Sequence, residues 1–76
     1  MGGIQEESDV NVKLTSREVQ ILQLAAEGKT IAQIAKELHI SKRTVRSHIE
    51  NILFKMQVNN RIQAIILAYK LGLINI

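Results

Sequence analysis

Apolar residues recur along this chain at helical spacing, and each run is preceded by a residue suited to start a helix. Ile31, Ile34, Ala35 and Leu38 fall at i, i+3, i+4 and i+7, which is one face of a helix. Val45, Ile49, Ile52 and Met56 follow with steps of four, three and four and define a second such face. Ahead of the first apolar run stands Thr15-Ser16-Arg17-Glu18, a capping box in which the hydroxyl accepts from the third helical amide while Glu18 reaches back. Helix one then extends to about Glu27, where Gly28 suits the left-handed closing position. A second box, Thr30-Ile31-Ala32-Gln33, opens helix two; Ser41 caps helix three, after a gap of only about His39 to Ser41. Asn60 caps helix four, which ends at Gly72 before the apolar tail LINI. No segment sustains strand alternation and none repeats, so the expected class is all-α with four helices.

The first twelve residues break this pattern. They hold Gly2, Gly3, three acids and scattered apolar positions, and read as a flexible tail or linker remnant ahead of a domain over residues 13–76. At 76 residues there is room for one small domain, whose marginal core needs good packing or self-association. With no cysteine, no disulfide can assist, and His39 and His48 without a carboxylate cluster make a poor metal site. The longest apolar run, residues 64–69, is far short of the roughly 20 residues of a membrane span, and no leader peptide is signalled. A cytoplasmic protein is the expectation.

Charge adds a partner class. Residues 17–76 carry nine cations against four anions, whereas residues 1–16 carry one against three, so the helical part is more basic than the net +3 of the whole. An excess of this sign suits a polyanion. Two helices joined by a turn of about three residues, with small Ala35 where they approach and apolar Val45 ten positions on, outline a helix-turn-helix. The same outline fits any small helical bundle.

The residues from 14 to 74 carry a more specific likeness. Leu14 and Thr15 with Arg17 and Glu18, then Gly28, Ile34, Ala35, Leu38, Ser41, Thr44, Val45, His48, Lys55, Val58, Arg61, Ala64 and Gly72-Leu73-Ile74 together resemble the LuxR/FixJ-type (GerE-like) helix-turn-helix domain of bacterial transcription factors. Ile31 stands where that family usually has asparagine, and Gln57 where glycine is common. The resemblance implies a tetrahelical domain that sets helix three, about residues 42–57, in the major groove of double-stranded DNA and pairs through helix four, about residues 61–71. It also implies an effector domain of a response regulator, or a single-domain regulator, with RNA polymerase and a receiver or sensor domain as further partners. The family's groove contacts fall mainly at the positions of Arg46, Ser47 and Glu50.

Residue chemistry agrees with that placement. Projected at about 100° per residue from Val45, the side chains of Arg43, Ser47, Glu50 and Phe54 lie between about 140° and 200°, opposite the core stripe, with Arg46 near 100°. Arginine can bond guanine O6 and N7 together, and Glu50 could accept from cytosine N4. For Glu50 two other readings stay open: it lowers affinity by repelling phosphate, or it is a solvated partner of Arg46 at i,i+4. Lys42, Arg43 and Thr44 at one helix start, and Lys29 and Thr30 at another, are the candidates for phosphate contacts, because amides and dipole there favour anions. His48 projects beside the core stripe and is expected to pack, His39 to serve the turn. Phe54, on the outer face, is either a contact or a single exposed apolar residue.

Helix four has two apolar faces: Ala64, Leu67, Ala68 and Leu71 on one, and Ile62, Ile65, Ile66 and Tyr69 on the other. The first is expected inside and the second in a dimer contact, unless LINI folds back over it. No nucleophile with a neighbouring base and no phosphate-cradling glycine loop is present, so an enzyme is not expected, nor a cofactor. The rival reading is a protein-interaction module built on the second face of helix four and Phe54. RNA binding ranks last, with only Phe54 and Tyr69 available for stacking.

Overall fold

Each expected cap is made. In the computed structural model, which describes residues 12–76, α1 spans Ser16–Ala26, α2 Ile31–Leu38, α3 Lys42–Met56 and α4 Arg61–Lys70. The expected flexible tail lies, but for Val12, outside the described residues; Val12 is half-buried against the core. The side chains of Thr15, Thr30, Ser41 and Asn60 accept from the amides of Glu18, Gln33, Thr44 and Gln63, three residues on in every case. At Thr15 and Thr30 the reciprocal bonds from Glu18 and Gln33 complete the boxes.

The four helices also end alike. Lys29, Ile40, Val58 and Leu73 donate their amides back to the carbonyls of Leu24, Ala35, Leu53 and Ala68, and the residue before each donates to a carbonyl three back. This double closure, the Schellman motif, requires a left-handed residue at its centre. Gly28 and Gly72 take that conformation without steric penalty, at φ 88° and 76°. His39 and Gln57 take it with a Cβ, at φ 58° and 57°.

The core joins Ile21, Leu22 and Leu24 of α1 to Ile34 and Ala35 of α2, Val45, Ile52 and Met56 of α3, and Ala64 and Ala68 of α4. Ala35, Ala64 and Ala68 are small where helices approach. α1 and α3 each pack against every other helix, whereas the backbones of α2 and α4 do not approach each other closely. The tail LINI folds against α1, not over the second face of α4. Ile74 is buried in the core, and Asn75 donates to Gln23 Oε1 at 2.9 Å while its carbonyl accepts from Gln23 Nε2 at 2.8 Å. Satisfying a backbone pair and burying one isoleucine together favour that route. Among the described residues no strand is present, and no helix is long and apolar enough to cross a membrane.

Candidate nucleic-acid interface

Ser41 fixes the start of α3 and therefore what that helix shows to solvent. Its hydroxyl accepts from the Thr44 amide at 3.0 Å and lies 2.9 Å from the Thr44 hydroxyl. The amides of Lys42 and Arg43 are left at the open end of the helix, where the dipole is positive. Thr44 is thereby tied to the cap, and its hydroxyl is shared with Ser41. At the start of α2, Thr30 is likewise bound into its box, and Lys29 Nζ lies 3.6 Å from Glu37 Oε1, both side chains being partly exposed. An exposed pair of that kind is worth at most about 1 kcal/mol and leaves the ammonium able to exchange partners.

Beyond the first turn, Val45, Ile52 and Met56 face inward, while Arg43, Arg46, Ser47, Glu50 and Phe54 are all exposed. Arg46 and Glu50 make no ion pair within the described residues, so the i,i+4 partnership is not formed there. Both instead line an open groove floored by Ile31, Ile49 and Leu53, between the starts of α2 and α4. Arg61 stands on its far side, at the first position of α4. It adds a second guanidinium to this region, and the Asn60 cap that puts it there is the sequence signal for it. Ile31, the departure from the family pattern, is half-buried and forms part of that floor. His48 is half-buried and His39 holds the left-handed turn position.

α3 is held in place from its other end by a contact that sequence spacing does not reveal. Glu18 is 3% exposed, and Lys55 Nζ lies 2.8 and 3.0 Å from its two carboxylate oxygens. Glu18 Oε1 also accepts the Thr15 amide at 2.8 Å. Burial alone pushes the Glu18 carboxyl up; hydrogen bonds from Lys55 and Thr15, with the Lys55 charge, outweigh it and hold the group below its ordinary value.

On α4 the expected contact residues divide. Ile62, Ile66 and Tyr69 are 67%, 50% and 55% exposed, in one stripe at i, i+4 and i+7. Ile65 is half-buried and turns toward Ile21, Leu22 and Ile52. Among the described residues, no three His, Cys, Asp or Glu side chains are grouped to hold a metal.

A capped helix pair with a three-residue turn, the second helix presenting a polar and cationic outer face, defines a helix-turn-helix domain. Residues 12–68 match the family described as bacterial regulatory proteins, luxR family, and the chain belongs to that family. The domain that defines the family is a DNA-binding transcription-regulator domain, not an enzyme. The chain is 50% identical over 62 residues to the transcriptional regulatory protein LiaR of Bacillus subtilis (strain 168), covering 82% of this chain and 29% of LiaR. Over 69 residues it is 46% identical to the transcriptional activator protein AnoR of Acinetobacter nosocomialis, covering 91% of this chain and 29% of AnoR. It thus spans less than a third of these curated relatives. Among solved structures, transcription factor GerE superposes with a TM-score of 0.80 at 40% identity, over 82% of this chain and 92% of GerE. SdiA of Escherichia coli gives 0.79 at 40% identity, over 82% of this chain and 26% of SdiA.

Proposed function

We propose that this chain is the sequence-specific DNA-binding domain of a bacterial transcriptional regulator, acting in the cytoplasm. α3 enters the major groove, where Arg46, Ser47 and Glu50 read base edges. Lys42, Arg43 and Thr44 at its start, with Lys29 and Thr30 at the start of α2, hold phosphates. Two copies pair through Ile62, Ile66 and Tyr69, with Ile65 behind them, and so occupy two half-sites of one operator. RNA polymerase and a receiver or sensor domain are the further partners this reading carries.

The observation behind it is the outer face of α3. From Lys42 to Phe54 that face is exposed, and Arg46 and Glu50 remain uncommitted within the described residues. Arg43 and Arg46 put on that face two guanidiniums, the groups that suit phosphates and guanine edges. The names of LiaR and AnoR support the regulatory role.

Titration into a fluorescent mixed-sequence duplex, followed by anisotropy at about 50 and 200 mM salt, tests the electrostatic part. The three cationic phosphate contacts, Lys29, Lys42 and Arg43, correspond to roughly a 40-fold loss of affinity over that range. Absence of binding at the lower salt would favour the interaction module, for which the exposed stripe of α4 is the natural surface.

A further inference from the structure

Resting on the DNA-binding reading above, we infer that Phe54 is a fourth base-reading residue, recognising the C5-methyl group of a thymine at the outer edge of each half-site. Phe54 is 84% exposed, the most exposed large apolar residue among the described residues. Arg43, Ser47, Glu50 and Phe54 follow one another at i, i+4, i+7 and i+11, a straight row on the side of α3 opposite Val45, Ile52 and Met56. At 1.5 Å per residue the row is about 16 Å long, the height of about five stacked base pairs at 3.4 Å each. If Ser47 and Glu50 meet base edges, Phe54 lies one turn further along the same groove.

The chemistry of the ring selects what it can meet there. A phenyl group makes no conventional hydrogen bond at a base edge, and the one bulky apolar group on the major-groove edges is the thymine methyl. A protein partner fits less well. A protein contact buries a continuous apolar centre, whereas Phe54 stands among exposed Glu50, Asn51, Lys55 and Gln57, with only the half-buried Leu53 and Val58 as apolar neighbours. A single protruding ring with a mostly polar rim matches a single methyl amid polar base edges, and the flanking Lys55 ammonium is already held by Glu18.

The test uses uracil, which is thymine without that methyl. An operator is selected from random duplexes with the unaltered 76-residue chain, and each of its thymines is replaced singly by deoxyuridine. Affinities are then measured for the natural protein and for Phe54→Ala. At one thymine per half-site, outside the base pairs sensitive to Arg46→Ala, uracil should weaken the natural protein about fourfold, the size of one buried methyl group. Phe54→Ala should bind both duplexes alike there, while keeping its helical circular dichroism. An equal uracil penalty in both proteins, or no uracil-sensitive thymine in the selected operator, overturns the inference. Failure to select any operator would instead overturn the DNA-binding reading beneath it.

Discussion

Lys55, near the end of α3, bonds both carboxylate oxygens of Glu18, near the start of α1, across 37 residues of sequence. Because Glu18 also completes the capping box with Thr15, one buried carboxylate serves the helix start and the docking of α3 at once. The orientation of the exposed face of α3 depends in part on this pair.

Removing one partner should therefore cost more than an ordinary surface ion pair. Lys55→Met leaves Glu18 buried and charged, and chemical denaturation at pH 7 should show a loss of about 2–3 kcal/mol. The sign with pH follows from the lowered folded-state value. The contribution of Glu18 is present above the unfolded carboxyl pKa of about 4.3 and fades as pH falls through its lower folded value. The gap between Lys55→Met and the unaltered protein should accordingly narrow below about pH 4. A gap constant from pH 7 to 3 would show that packing of the lysine stem, not the charge pair, accounts for it.

The two turn residues held left-handed without being glycine should be sites of gain. His39→Gly and Gln57→Gly relieve a conformation costing about 1–2 kcal/mol, against roughly 0.5–1 kcal/mol of added freedom in the unfolded chain. Each should raise stability by up to about 1 kcal/mol, read as a higher denaturation midpoint at unchanged slope. A lower midpoint would mean that the side chains make contacts worth more than the strain.

Base-reading and phosphate-holding residues should separate on an operator. Arg46→Ala is expected to cost about 1–3 kcal/mol in specific binding and to relax preference at one or two base pairs. Lys42→Ala should weaken all duplexes similarly and reduce the logarithmic salt slope by about one. Equal affinity of Arg46→Ala and the unaltered protein for the operator would remove Arg46 from the reading face.

Pairing through α4 can be isolated from reading. Ile66→Glu puts a carboxylate in the middle of the exposed stripe, where the monomer fold does not need isoleucine. Affinity for a single half-site should stay the same, while the advantage of two correctly spaced half-sites falls on the order of a hundredfold. Unchanged binding to the paired sites would place the dimer contact elsewhere.

The elements of this fold are legible in the sequence because its local signals are complete. Thr15, Thr30, Ser41 and Asn60 each stand three residues before the amide they cap, and a cap acts over one turn, so spacing alone locates every helix start. The period of α3 likewise separates its core stripe from its outer face. What sequence leaves open is decided by tertiary packing. α4 is apolar on two faces, and nothing local says that Ile65 tips inward while Ile62 and Ile66 remain outside. The fold-back of Ile74 and Asn75 onto α1, and the bond from Lys55 to Glu18, join positions 52 and 37 residues apart. Neither period nor cap reports on such separations.

The exposure of the outer face of α3 has an evolutionary consequence. Arg46, Ser47, Glu50 and Phe54 are exposed and stand outside the buried core, and surface exchanges of that kind usually change stability by less than about 0.5 kcal/mol. On the reading proposed above, drift at Arg46, Ser47, Glu50 and Phe54 would redirect such a regulator to a new set of genes while the four-helix scaffold is inherited unaltered. The address can be rewritten without rebuilding the machine that carries it.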